Sequence, residues 1–289
     1  ARAIAEDVAA AGGRVYFVGG IVRDEMMGVQ SKDVDVEVYG VSPARLREIL
    51  SRHGTVLDKG ASFGVLGLRG SDLDIAMPRL ERRTGALHTD FDVSVNPFMS
   101  PREASMRRDF TINAMAMDEA GAVTDLFGGR DDLARRVLRC VGDPETRFRE
   151  DALRMLRAYR FAAQLGFLLD ARTQAALRRC APLCAALSRE RVREEAEKAL
   201  LSDRPEYFGR MLSEGLLEAC MRTENADFSG LSVLPKTPEA RWTAAKLRCP
   251  ALDPAAFRLP AKLCRLIDLT VQTWQEGRTE ADWKRLIAA

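Results

Sequence analysis

A chain of 289 residues with 46% hydrophobic content buries a large core and is expected to fold as two or more compact units, while 44 Lys plus Arg nearly cancel 42 Asp plus Glu, so bulk charge points to no nucleic-acid partner and any such surface must come from local clustering. No apolar run approaches the roughly 20 residues that span a bilayer, and the opening ARAIAEDVAAAGG reads as an amphipathic helix rather than a signal peptide, so a cytoplasmic location without membrane partners is expected. Two histidines, His53 and His88, leave almost no material for a histidine-based metal site or a Ser-His-Asp triad, and the six cysteines contain no CxxC pair and are expected to be reduced and buried.

From Arg14 to about Arg139 the runs VYFVG, DVDVEVY, FGVLGLR, DLDIAM and FDVSV read as strands alternating with short helical patterns, which makes this half mixed α and β. After Pro144 the strand signals stop, and helical spacing takes over from FREDALRMLRAYRFAAQLGF onward. Breaks at Asp203-Arg-Pro205 and around Ser229 to Pro238 divide the helical part further. The expected organisation is α+β: a mixed head over 1–139, then helical segments over 140–202 and 203–289.

The first strand ends in Gly19-Gly20 and runs directly into a helix, leaving backbone amides facing outward where an anion can sit; a simple tight turn is the competing reading. Asp33 and Asp35 lie two apart in a strand, on one face and within reach of a single ion. Two such carboxylates repel unless a cation lies between them, and magnesium, which prefers oxygen ligands and keeps coordination for phosphates, fits. The alternative is a solvated face, with Val34 and Val36 inward and Asp33, Asp35 and Glu37 outward. Asp74 in DLDIAM is a candidate third carboxylate, with Asp72 on the same face as its competitor. Three aspartates beside a phosphate-sized turn suggest two-metal nucleotidyl transfer, in which two magnesium ions activate a hydroxyl and steady a triphosphate.

GGIVRD, the DVD pair, RRDFTINAMAMD (Arg107 to Asp118), EDALRMLRAYRF (Glu150 to Phe161) and RERVREEAEKAL (Arg189 to Leu200) resemble, in order, successive motifs of class II tRNA nucleotidyltransferases. That family comprises the CCA-adding enzymes and the bacterial poly(A) polymerases and belongs to the polymerase-β-like nucleotidyltransferase superfamily. The resemblance covers about residues 14 to 200. It implies a polymerase-β-like catalytic head followed by a helical neck (140–202) and an RNA-binding body and tail (203–289), acting on the tRNA 3′ end with CTP and ATP, and no role on DNA. By position it implies metal-binding Asp33 and Asp35, a triphosphate-side motif of Gly19, Gly20, Arg23 and Asp24, and sugar and phosphate contacts from Arg108, Asp109 and Asn113. It further implies base reading by Glu150, Asp151, Arg154, Arg157 and Arg160. Some relatives carry a His-Asp phosphohydrolase domain; with no histidine after His88, that activity is not expected here.

The neck motif also has a direct physical reading. Asp151, Arg154 and Arg157, three apart on a helix, would form a neighbouring row. Cytosine and adenine each present an exocyclic amine beside an accepting ring nitrogen, which a carboxylate and a guanidinium complement; uracil and guanine present the reverse. An exposed face laced by ion pairs is the competing reading. In RRDFTINAMAMD, Phe110, Ile112 and Met115 are expected in the core, and Asp109 is a possible cap or a partner for Arg108. The segment from Arg189 is expected to brace the neck, with Ser188 as helix cap and Arg191 paired to Glu195 and Glu194 to Lys198. The long connection after Asp74, with Arg79, Arg82 and Arg83, is expected to be a lid over the nucleotide.

Overall fold

The computed structural model describes residues 2–31, 33–60, 65–83, 91–221 and 227–275, with backbone only at 60, 80–83, 91–93 and 275. The chain divides after Gly142 into two compact units.

The first unit is built on a seven-stranded mixed sheet. Its strands are β1 (Arg14–Val18), β2 (Val34–Tyr39), β3 (Val56–Gly60), β4 (Val65–Leu68), β5 (Leu73–Ala76) and, beyond a separate hairpin of β6 (Arg79–Arg83) and β7 (Phe91–Val95), β8 (Ala116–Met117) and β9 (Val123–Thr124). The order across the sheet is β3-β4-β5-β2-β1-β8-β9. β2 and β5 run parallel, and the other pairs are antiparallel. Two helices, α1 (Arg2–Ala10) and α3 (Pro43–Ser51), contribute Ile4, Val8, Leu46, Ile49 and Leu50 to a core shared with Val36, Val38, Leu73 and Ile75 of the central strands. Alternation does the sorting: the valines of β2 enter that core, which sends the acidic residues between them to the opposite face. On the far side of β1, α2 (Gly20–Met26) follows the strand with no intervening loop.

Arg79–Arg83 was expected within a lid loop and instead forms an arm of the β6–β7 hairpin. Its single apolar residue, Leu80, gives no alternation from which to read a strand. The rest of that expected lid, 84–90, lies outside the described residues, as do the side chains of Arg82 and Arg83.

The second unit is helical: after α4 (Pro101–Met106) and α5 (Gly129–Ala134) of the first unit come α6 (Pro144–Glu150), α7 (Leu153–Leu165), α8 (Ala171–Cys180), α9 (Arg189–Leu200), α10 (Glu206–Ser213), α11 (Pro238–Arg248) and α12 (Ala261–Gln275). The two expected breaks fall between α9 and α10 and before α11. An aromatic cluster of Phe208, Phe228, Trp242 and Phe257 fills the interior, with ring centroids 5.0 to 6.2 Å apart. Beside it Arg241, fully buried, donates to the carbonyl oxygens of Leu200, Ser232, Leu234 and Pro235, so one guanidinium satisfies the backbone where the chain leaves helical geometry. All six cysteines are free, five of them buried. Among the described residues, no helix is long and apolar enough to cross a membrane.

Candidate active site

Along one face of β2 the carboxylates descend into the head. Asp33, one residue before the strand, is exposed; Asp35 is half-buried; Glu37 is 2% exposed. The solvated-face reading therefore fails at Glu37. Its carboxylate accepts from both Arg107 and Arg108, the latter at 3.2 Å, and from the Tyr39 hydroxyl at 2.7 Å. Burial pushes the Glu37 pKa up, but the two guanidiniums and the tyrosine hydroxyl outweigh it and hold the group below the usual carboxylate range.

The parallel register of β2 and β5 sets Asp35 directly beside Asp74. Asp72 is exposed, and its backbone carbonyl accepts from the Val34 N–H at 3.4 Å, so Asp74 is the lateral neighbour. Asp74 is itself held by the Lys59 ammonium. That lysine reaches it across Gly67, where a Cβ would lie 2.5 Å from Lys59 Cε. The Asp35 pKa is raised by burial and further by Asp74, Asp33 and Glu37, against an opposing pull from Arg108. Among the described residues, no group of three or more His, Cys, Asp or Glu side chains converges to hold a metal. The donor set that fits a hard cation is the Asp33 and Asp35 pair, with Asp74 neutralised by Lys59.

Gly19 joins β1 to α2 with φ +77° and ψ −133°, a conformation open essentially to glycine alone. A Cβ there would lie 3.3 Å from Arg108 Nη1 and 3.8 Å from Asp35 Oδ2, so the turn, the guanidinium and the carboxylate border one gap. Behind it runs a buried chain of polar contacts. Arg23 donates to Asp24 at 2.7 and 2.9 Å and to Asn113 Oδ1 at 2.8 Å, and Asn113 Nδ2 donates to Asp109 Oδ1 at 3.3 Å. Asp109 also accepts from the Phe110 N–H at 2.8 Å, while Arg108 turns to Glu37. Asp109 is thus a local brace for the 3-10 turn Thr111–Asn113 and not the partner of Arg108. Phe110, Ile112 and Met115 are in the core as expected. The expected head residues gather at one end of β1 and β2. Lys59, Glu37 and Arg107 were not anticipated; the DVDVEV alternation, which sets Glu37 on the Asp35 face, was the available signal for one of them.

In the helical unit, the expected row of Asp151, Arg154 and Arg157 is interrupted. Asp151 ends α6 in an extended conformation, φ −146°, and its Oδ1 accepts from the Leu153 N–H at 3.0 Å, capping α7 from outside. Asp151 also binds Arg191 at 3.1 Å, and Arg154 lies 3.6 Å from Glu150. The Arg157 guanidinium stands 5.3 Å from the Phe161 ring centroid. Arg160, 3.8 Å from the same ring, is paired to Glu195 of α9 with both side chains nearly buried. Ser188 caps α9 as expected, but the expected Arg191 to Glu195 pair gives way to Arg191–Asp151 and Glu195–Arg160, which tie α9 to the α6–α7 junction and to α7.

The family description "Poly A polymerase head domain" matches residues 15–139, and "Probable RNA and SrmB-binding site of polymerase A" matches 166–222. The chain is 46% identical over 195 residues to the CCA-adding enzyme of Leuconostoc mesenteroides, covering 66% of this chain and 47% of that one. It is similar in structure to the Bacillus stearothermophilus CCA-adding enzyme in complex with CTP, with TM-score 0.77, 30% identity, and coverage of 94% of this chain and 69% of that one. A tRNA nucleotidyltransferase complexed with a primer tRNA and an incoming ATP analogue superposes with TM-score 0.71 at 26% identity, covering 97% and 86%. The chain spans about half the length of the first curated relatives it matches.

Proposed function

The chain belongs to the family of CCA-adding tRNA nucleotidyltransferases and poly(A) polymerases, and from that premise we propose that it adds C, C and A to the tRNA 3′ end, using CTP and ATP, without a nucleic-acid template. The observation that carries this reading is the gap bordered by the Gly19 turn, the Asp35 carboxylate and the Arg108 guanidinium, which pairs a seat for an anion with a seat for a cation.

Asp33 and Asp35 would hold magnesium: the donors are all oxygen, and the charge crowded around Asp35 favours a divalent ion. Two such ions, when bound, supply activation of the terminal hydroxyl and neutralisation of the triphosphate. The remaining work belongs to the side chains. The Gly19-Gly20 turn and Arg108 receive phosphate oxygens, and the guanidinium offers charge-assisted hydrogen bonds to them. Arg23 and Asp24, locked to Asn113 and Asp109, keep the turn and the sugar-side residues in one rigid block, so that the nucleotide is oriented rather than merely attracted. Lys59 cancels the charge of Asp74, which limits repulsion between it and the incoming phosphates.

Base choice falls to Asp151 and Arg154, with Glu150 and Arg157 adjoining. A carboxylate accepting the exocyclic amine and a guanidinium donating to the ring nitrogen admit C and A; U and G would leave like facing like, at about 1 to 3 kcal/mol per mismatch in a dry pocket. Arg160, engaged by Glu195, braces this segment instead of reading a base. The division of the helical unit into a neck to about residue 202 and an RNA-binding body beyond it, and a cytoplasmic location, complete the reading.

The test is to offer purified protein tRNA ending before CCA, after CC and after CCA, with CTP and ATP separately and together in magnesium. Ordered C, C, A addition that stops is the expected result. Long A tails identify a poly(A) polymerase, addition limited to CC or to A identifies a partial enzyme, and no incorporation at all identifies a binding module.

A further inference from the structure

Three acidic side chains share one face of β2, and only two of them are positioned to meet a ligand. The third, Glu37, lies beneath them with both oxygens engaged: Oε1 by Arg107 and Arg108, Oε2 by the Tyr39 hydroxyl at 2.7 Å. Its side chain is buried. Arg108 spends Nη2 on Glu37 at 3.2 Å and carries Nη1 over Gly19, 3.3 Å from where a Cβ would stand. Because the guanidinium is planar and rigid, fixing one nitrogen fixes the direction of the other.

We infer that Glu37 is a positioning residue for nucleotide binding: it anchors Arg108 over the Gly19 turn and keeps that guanidinium from closing onto Asp35. The competition is electrostatic and local. Arg108 sits beside two carboxylates, Asp35 and Glu37, and a long flexible side chain pairs with whichever neighbour holds it better. With Arg108 Nη2 held by Glu37, the guanidinium stays on the Gly19 side, the gap remains open for a phosphate, and Asp35 keeps its oxygens for a cation. Without that carboxylate, Arg108 loses its anchor and pairs with Asp35, which fills the gap and occupies the carboxylate at once. This rests on the reading that the anion is a nucleoside triphosphate.

The test is a double-mutant cycle read by ATP binding in equilibrium dialysis with magnesium and no tRNA, and separately by KM and kcat for A addition to tRNA ending in CC. The variants are Glu37→Gln, which keeps shape and loses charge, Arg108→Ala, and both together, all assayed well below each variant's own unfolding midpoint. Glu37→Gln is expected to weaken ATP binding about tenfold, the scale of one charge-assisted contact, with KM for tRNA within about twofold of wild type. In the Arg108→Ala background the same change is expected to add less than about twofold, because Glu37 acts through Arg108. Equal losses in both backgrounds, or unchanged ATP affinity in Glu37→Gln while Arg108→Ala binds weakly, overturn the inference. Wild-type protein that binds ATP but transfers nothing to tRNA overturns the proposed function alone, since the binding cycle still decides the role of Glu37; wild-type protein that binds no ATP overturns both.

Discussion

Replacing Gly19 by alanine perturbs the fold and the site through one methyl group. The backbone there, φ +77° and ψ −133°, lies where residues bearing a Cβ are strained by about 1 to 3 kcal/mol. The new Cβ would also press on Arg108 Nη1 at 3.3 Å, and that guanidinium is tethered to Glu37 and does not yield freely. About 2 kcal/mol in all is expected, which lowers the melting temperature by about 6 °C at roughly 3 °C per kcal/mol for a unit of this size. The same methyl stands 3.8 Å from Asp35 Oδ2, inside the gap assigned to the triphosphate, so KM for CTP and ATP should rise by at least about tenfold, the cost of a lost charge-assisted contact. Gly28→Ala is the control: φ is +67° and no atom lies within 4 Å of the new methyl, so it carries backbone strain without an obstructed site. Thermal melts and nucleotide KM on the two variants separate the effects. Gly19→Ala protein that loses no more nucleotide affinity than Gly28→Ala would refute the assignment of the anion to this turn.

Three further outcomes are expected. Asp35→Asn should cut incorporation by more than about a hundredfold, as loss of even an outer partner of a metal does, while easing the fold: with a folded pKa raised above 3.8, Asp35 binds protons more tightly folded than unfolded, so stability falls as pH rises through that interval, and asparagine should remove the fall in pH-dependent melts. Asp125 is the opposite case. Burial pushes its pKa up, but the backbone N–H groups of Arg130, Gly129, Phe127 and Gly128 outweigh this and hold it below 3.8, so its stabilisation is present above that value and lost as pH falls through the folded pKa; Asp125→Asn should flatten the acid limb of the same melts. Arg160→Met should cost about 3 to 5 kcal/mol by leaving Glu195 charged and nearly buried, with the preference between CTP and ATP unchanged and much of the stability recovered by adding Glu195→Leu; altered base preference would restore Arg160 to the reading group.

The parts of this architecture that depend on short-range pattern were legible in the residues. DVDVEV has the period of a strand, Gly19-Gly20 marks the passage into α2, and the two aspartates necessarily share a face. What escaped depends on partners far along the chain. A buried glutamate and a solvated one look alike in alternation, and the arginines that bury Glu37 lie 70 and 71 residues further on. Lys59 meets Asp74 only because three strands align and Gly67 leaves room for its stem. In ALRMLRAYRF the helical period begins without announcing that Asp151, just before it, belongs to neither helix; the carboxylate caps α7 and binds Arg191, 40 residues away. Likewise the local Arg191–Glu195 pairing was plausible by spacing and gave way to longer-range partners, Asp151 for Arg191 and Arg160 for Glu195.

The pairing of β5 with β4 on one side and β2 on the other imposes a length constraint on the connection from Arg69 to Asp72. Side chains in a strand alternate, so a one-residue insertion or deletion taken up by β5 would turn Asp74 toward the apolar interior and send Leu73 and Ile75 to the face that carries Asp35. Only changes by an even number of residues preserve parity, and even those slide Asp74 away from Asp35. Homologues should therefore tolerate substitution in this tight bend far better than indels.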